Sequence, residues 1–131
     1  MLVLDASALA MMLLRETGWE RVFALLAEEE PIAPDLLVAE TANALWRRVR
    51  LGHRTPEEAR ALMAGAMAPI LRLYPMAPLR AQALDLAMRR DHPAYDCFYV
   101  ALAVREAVPL VTADRRLAER LADEVEMRLL A

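Results

Sequence analysis

The sequence has 131 residues, of which 58% are hydrophobic, and this size suits a single domain of residues 1–131 with a substantial core. The formal net charge is −3, so no overall positive field indicates a nucleic-acid partner, although one face can differ in charge from the whole. The single cysteine excludes an intrachain disulfide and a multi-thiolate zinc site, so we expect any metal to be held by oxygen atoms. The longest apolar run, ASALAMMLL, is far shorter than the roughly 20 residues of a membrane span. We therefore expect a soluble, cytoplasmic protein.

The predicted elements alternate between short apolar strands and amphipathic helices. LVLD at residues 2–5 predicts a buried strand that runs directly into the helix ASALAMMLL. Further helices are predicted over residues 17–29, 35–51, 55–71, 79–90, 94–106 and 114–122, and further strands over residues 31–34, 73–77, 108–112 and 125–130. Pro75 makes the strand over residues 73–77 a candidate for the sheet edge. The alternation predicts an α/β fold with a parallel sheet covered by helices on both faces.

The predicted helix over residues 94–106 carries one unexplained charge. The stretch PAYDCFYVALAV, residues 93–104, is apolar or aromatic at every position except Asp96. Asp91 is a predicted cap for this helix, and Pro93 suits its first turn. A helix this apolar on all sides is normally buried, and a buried carboxylate without a partner is strongly destabilising. Asp96 therefore requires a cap, a cation or a metal.

Three other acids are predicted to lie near Asp96. In a parallel sheet the ligand site lies outside the carboxyl ends of the strands. Asp5 ends the first strand, and Asp114 follows the predicted strand LVT. Glu40 lies among apolar residues in LLVAETANALW, with Asn43 on the same face of its helix. We expect the acids to converge at this edge of the sheet.

Each acid also has a purely structural alternative. Asp5 and Asp114 could cap the helices that follow them, and Glu40 could pair with Arg47 two turns away or with another arginine. Together, however, several inward carboxylates would repel one another and take up protons unless a cation neutralised them. A hard divalent ion such as Mg²⁺ or Mn²⁺ suits oxygen ligands, and one or two such ions can activate water against a phosphodiester.

Four motifs follow one another along the chain: VLDASAL, AETANALWR, YDCFYVALA and LVTADRRL. Together they resemble the PIN domain over essentially the whole chain, and at this length the VapC-like ribonuclease toxins of toxin–antitoxin pairs. The resemblance implies an α/β/α sandwich around a parallel sheet and an endoribonuclease that depends on Mg²⁺ or Mn²⁺. It implies Asp5, Glu40, Asp96 and Asp114 as the catalytic and metal-binding acids, with Ser7, Asn43 and Thr112 as polar neighbours.

The resemblance also implies protein partners. VapC-like proteins are usually symmetric dimers, so we expect a homodimer that also binds the tail of a cognate antitoxin across the active-site groove. One position departs from the family pattern, since some relatives carry a further acidic or polar residue where this chain has Leu117. Whether the site holds one metal ion or two is therefore left open.

Several basic side chains are predicted to lie near the acids. Four arginines could contact RNA phosphates, or they could lie on solvated helix faces with ion pairs to neighbouring acids. They are Arg47, Arg48, Arg115 and Arg116. His53 and His92 lie in predicted turns and could act as bases, but a PIN-type mechanism requires none. We therefore assign no catalytic role to either histidine.

Other enzyme classes fit the sequence less well. An aspartate at the end of the first strand also occurs in haloacid-dehalogenase-like phosphatases and in response-regulator receivers. The phosphatases need a second aspartate where this chain has Ser7, and both classes usually rely on a lysine, whereas all 16 lysine or arginine positions here are arginine. The three glycines are too scattered to form a phosphate-binding loop. A non-catalytic PIN-like scaffold or binding protein is the alternative function, and the clustered like charges argue against it.

Overall fold

The computed structural model describes residues 1–130, so the last residue of the predicted single domain lies outside the described range. Its strands are β1 (Leu2–Leu4), β2 (Pro31–Pro34), β3 (Arg72–Tyr74), β4 (Leu110–Thr112) and β5 (Met127–Leu129). Its helices are α1 (Ala6–Leu13), α2 (Trp19–Glu28), α3 (Leu36–Arg50), α4 (Pro56–Gly65), α5 (Arg80–Arg90), α6 (Ala94–Glu106) and α7 (Arg115–Arg120). The strands form one parallel sheet in the order β3-β2-β1-β4-β5.

The sheet lies between layers of helices. Leu2, Val3 and Leu4 of β1 have no exposed surface, because a parallel strand with helices on both faces is buried on both sides. Helix α6 packs on β1, β2 and β4, with α5 against it, while α1 packs on β4, α2 and α3. This arrangement is an α/β/α sandwich, and it confirms the predicted fold class.

Two predicted boundaries need correction. Asp91 does not cap α6: it ends α5 in the left-handed conformation at φ 49°, and α6 begins after Pro93 without a side-chain cap. The predicted helix over residues 55–71 ends at Gly65, where a loop leads to β3. The edge prediction was correct, since β3 pairs only with β2 in the described sheet.

The order of the strands defines where a site can form. From β1 the chain proceeds to β2 and β3 on one side, and it returns to β4 and β5 on the other side. The carboxyl ends of β1 and β4 therefore meet at a topological switch point, where open α/β sheets bind ligands. Separately, none of the helices within residues 1–130 has the length and apolarity needed to cross a bilayer.

Candidate active site

Asp5 lies at the switch point and is almost fully buried, with 3% of its surface exposed. Its Oδ1 atom accepts hydrogen bonds from Ser7 Oγ at 2.7 Å and from the backbone N–H of Ala8 at 3.0 Å, so Asp5 also caps α1. Its Oδ2 atom accepts a short hydrogen bond from Thr112 Oγ1. Burial raises the pKa of Asp5 from 3.8 to about 6, and the charge of Asp96 contributes to the rise, although the three hydrogen bonds oppose it. Ionisation of Asp5 therefore destabilises the folded protein.

The hydroxyls of Ser7 and Thr112 connect the ends of β1 and β4. The two oxygen atoms lie 3.1 Å apart, and each donates a hydrogen bond to Asp5. Each also accepts a backbone N–H from the loop after β4, Ser7 from Ala113 at 2.9 Å and Thr112 from Asp114 at 3.0 Å. The predicted polar neighbours of the acids therefore fix the position of Asp5 and of the loop that carries Asp114.

Asp114 caps α7, as its structural alternative predicted. Its Oδ1 atom accepts the backbone N–H groups of Arg116 at 2.9 Å and Leu117 at 3.2 Å. Its negative charge nevertheless contributes to the raised pKa of Asp96, so the two carboxylates interact through their charges. Leu117 is fully buried and adds no polar group there.

Asp96 has a histidine partner that the sequence interpretation did not assign. His92 Nε2 lies 2.7 Å from Asp96 Oδ2, and the imidazole is almost wholly buried, with 2% of its side chain exposed. An ionised carboxylate can only accept, so the imidazole donates from Nε2. Burial raises the pKa of Asp96, and this hydrogen bond opposes the rise. The i,i+4 spacing of the pair was a visible signal, but it crosses the start of α6, where helical geometry could not be assumed.

Glu40 is held by a second residue that sequence reasoning missed. The Tyr99 hydroxyl donates to Glu40 Oε1 at 2.6 Å, from α6 to α3. The pKa of Glu40 is raised, chiefly by burial and also by the charge of Asp96. The pKa of the Tyr99 phenol is raised by burial and by the nearby Glu40, so the phenol stays protonated and able to donate. Tyr99 lies three residues after Asp96, on the same face of α6, and this spacing was the available signal.

The four acids interact through their charges without forming a tight cluster. Within residues 1–130, no three Asp, Glu, His or Cys side chains are arranged closely enough to hold a metal ion. Asp96 still raises the pKa of both Asp5 and Glu40, and its own pKa is raised by Asp114. A cation among these acids would oppose these rises in pKa, and the all-oxygen donor set suits a hard divalent ion. The side chains present therefore fit Mg²⁺ or Mn²⁺ chemically.

A groove of about 510 Å³ is lined by one of the four acids, Glu40. Glu40, Asn43 and Arg47 lie along one face of α3 and line it, together with Ser7 from α1 and Tyr95 from α6. A smaller groove lined by Arg47 extends it toward the end of α3. The groove thus carries one acid and one arginine at separate positions on a single helix.

The other predicted RNA-binding arginines have different surroundings. Arg48 forms an ion pair with Glu16 at 2.6 Å, so it is partly neutralised. Arg115 and Arg116 are exposed at the start of α7 and take part in none of the ion pairs within residues 1–130. Of the four, Arg47 alone lines the groove beside Glu40 among the described residues.

The chain is similar in sequence and in structure to several known proteins. The sequence profile of the PIN domain matches residues 2–123, a range that includes all four acids. Ribonuclease VapC3 of Pyrobaculum aerophilum is 32% identical over 122 residues, covering 91% of this chain and 93% of that protein. Ribonuclease VapC1 of Mycobacterium tuberculosis is 38% identical over 106 residues, covering 81% of this chain and 79% of that protein. The crystal structure of PAE2754 from Pyrobaculum aerophilum superposes with a TM-score of 0.71 at 28% identity, covering 91% of this chain and 84% of that one.

Proposed function

This chain belongs to the PIN domain family and is VapC-like, and from that premise we propose that it is a metal-dependent endoribonuclease, the toxin of a toxin–antitoxin pair. It hydrolyses RNA phosphodiester bonds, with Asp5, Glu40, Asp96 and Asp114 as the catalytic acids that hold Mg²⁺ or Mn²⁺. One observation carries the proposal: Asp5 is buried where β1 and β4 end, held by Ser7 and Thr112, and the charge of Asp96 contributes to the raised pKa values of both Asp5 and Glu40. Like charges held together in this way favour a bound cation.

The bound ion supplies Lewis-acid activation of water and of a phosphate oxygen. The chain itself supplies orientation, because hydrogen bonds hold at least one oxygen atom of each acid and both oxygen atoms of Asp5. Hydroxyls of Ser7, Thr112 and Tyr99 hold Asp5 and Glu40, and the imidazole of His92 holds Asp96. Such supporting groups commonly change metal affinity or activity by roughly 10- to 100-fold.

The groove provides the path for RNA. Arg47 offers a guanidinium for a phosphate, and Asn43 offers an amide between Arg47 and Glu40. Arg115 and Arg116 extend the basic surface from the other side of the site, at the start of α7. These side chains account for RNA binding by a chain whose net charge is −3.

Cleavage assays test the proposal directly. Purified protein should cut structured RNA in Mg²⁺ or Mn²⁺ and stop in EDTA, and the Asp114→Asn variant should be inactive. Glu57→Gln is the matched control, since Glu57 is an acid on α4 whose side chain is 80% exposed. Cleavage that persists undiminished in EDTA would contradict the metal mechanism. RNA binding without cleavage in any metal would favour the scaffold alternative.

The protein partners are a second copy and a cognate antitoxin, and both act in the cytoplasm. Leu84 and Met88 lie one turn apart on α5 with 54% and 65% of their surface exposed, and such an apolar face suits a homodimer interface. Light scattering should give twice the monomer mass, and Leu84→Glu should give a monomer. The product of a small neighbouring gene should inhibit cleavage when it is added in equimolar amounts, whereas an unrelated small protein should not.

A further inference from the structure

The geometry of the groove points to a nucleobase-binding subsite in which the ring of Tyr95 stacks on one unpaired base of the RNA. This inference rests on the proposed function, because it places the substrate of the same site. It assigns Tyr95 to substrate recognition, a role that neither the motifs nor the hydrogen bonds around the acids indicated.

Tyr95 is the most exposed large hydrophobic residue of its helix. Six of the thirteen residues of α6 are buried, whereas 65% of Tyr95 is exposed, and the residue directly precedes Asp96. Within the described part of the chain, Tyr95 takes part in no aromatic pair and lies under no arginine, unlike Trp19 and Trp46. Single exposed aromatic residues are common on protein surfaces, but this one lines the same groove as Glu40. Both faces of its ring are thus free of an aromatic or guanidinium partner.

The groove has the size and lining that a nucleotide requires. Its volume of about 510 Å³ falls within the range of roughly 300 to 1,000 Å³ that is usual for small-molecule sites. Among the described residues that line it, Tyr95 is the only aromatic one. Four alanines also line it: Ala6, Ala10, Ala39 and Ala44. Small side chains therefore make up much of the lining, which leaves room for a flat base.

The polar groups of α3 match the parts of a nucleotide. Glu40 and Arg47 are seven residues apart, which corresponds to about 10 Å along a helix. A phosphate at the acids and a second phosphate at Arg47 would place the intervening nucleotide alongside Asn43 and Tyr95. Stacking accepts any base, because every base has a π-face, so this subsite selects an unpaired nucleotide more than a sequence.

Binding to short single-stranded RNA oligonucleotides in EDTA tests the inference without cleavage. In each oligonucleotide one nucleotide in turn is made abasic, and fluorescence anisotropy gives the affinity of wild type, Tyr95→Ala and Tyr95→Phe. Removing one particular base should weaken binding to the wild type and to Tyr95→Phe by about tenfold, within the range for base–aromatic stacking. Tyr95→Ala should bind the intact RNA about tenfold more weakly and lose this sensitivity to the missing base. Phe23→Ala is the matched control, because Phe23 is 61% exposed on α2 and lies outside this groove.

The outcomes separate the subsite from the function. RNA binding with the same abasic profile in wild type and Tyr95→Ala would overturn the stacking role and leave the ribonuclease proposal intact. No RNA binding by the wild type in either EDTA or Mg²⁺ would overturn both. Thermal unfolding of Tyr95→Ala should match the wild type, because the ring is exposed, and a lower unfolding temperature with an unchanged abasic profile would assign the residue a structural role only.

Discussion

Replacing Asp5 by asparagine should stabilise the metal-free protein at neutral and alkaline pH. The side chain is 3% exposed, and its pKa is raised from 3.8 to about 6, mainly by burial. The folded protein therefore holds the proton more tightly than the unfolded chain, and ionising Asp5 destabilises the fold. The penalty is absent below about pH 4, grows between pH 4 and pH 6, and is complete above pH 6, where a rise of this size corresponds to about 3 kcal/mol.

An asparagine can reproduce the hydrogen bonds that Asp5 makes. Its oxygen can accept from Ser7 Oγ and from the N–H of Ala8, as Oδ1 does now. Its amide nitrogen would face Thr112 Oγ1, which has a free lone pair, and the Thr112 hydroxyl can donate instead to Ser7 Oγ at 3.1 Å. The variant therefore removes the buried charge without stranding a polar group.

Urea unfolding in EDTA at a series of pH values from 4 to 8 measures the effect. The free energy of unfolding of Asp5→Asn should equal that of the wild type near pH 4 and exceed it by up to about 3 kcal/mol at pH 8, a difference of roughly 10 °C in unfolding temperature. Adding Mn²⁺ should close the gap, because the ion stabilises only the protein that binds it. The control Glu57→Gln should show no pH-dependent difference. A variant that is less stable at pH 8, or whose advantage is the same at every pH, would refute the reasoning.

Three further predictions concern single side chains. Asp96→Asn keeps an acceptor for His92 and removes a like charge, so its unfolding temperature in EDTA should not fall. RNA cleavage in Mn²⁺ should fall by more than the roughly 10- to 100-fold that is typical of a supporting group. A variant that melts well below wild type and cuts RNA at a comparable rate would contradict the metal role. Tyr99→Phe removes the donor to Glu40 and should lower the free energy of unfolding by about 1–3 kcal/mol, and an unchanged urea midpoint would show that this hydrogen bond contributes nothing net. Thr55→Ala breaks the capping box of α4 and should lower stability by about 1 kcal/mol without changing the cleavage rate per folded molecule; a changed rate would show that α4 contributes to the site.

The sheet was predictable because its signals are local and repeated. Apolar strands such as LVL alternate with helical patterns, and parallel strands must place their carboxyl ends at one edge, which located Asp5 and Asp114. The cap of α6 was not predictable from Asp91. Asp91 lies between two helices, and it adopts the left-handed conformation that ends α5. Helix α6 begins only after Pro93, two residues later.

The partners of the acids depend on side-chain directions that the sequence alone does not specify. Glu40 had a plausible partner on its own helix in Arg47, yet it accepts from Tyr99, which is 59 positions away. The capping alternative was confirmed for Asp5 and Asp114, which both cap helices. Asp96 nevertheless contributes to the raised pKa of Asp5, and Asp114 contributes to the raised pKa of Asp96, so a cap does not exclude the proposed metal-binding role.

The hydrogen bond between Asp5 and Thr112 joins residues 107 positions apart, across the junction of β1 and β4. A ribosome makes the chain from its first strand at roughly 5–20 residues per second, so β1 emerges long before its neighbour on that side. A nascent chain that ends before residue 112 lacks both Thr112 and Asp114. The pairing of β1 with β4 is non-local in sequence, and pairing of this kind is completed late in folding. Asp5 therefore acquires its hydrogen bond to Thr112 only after most of the chain has been made.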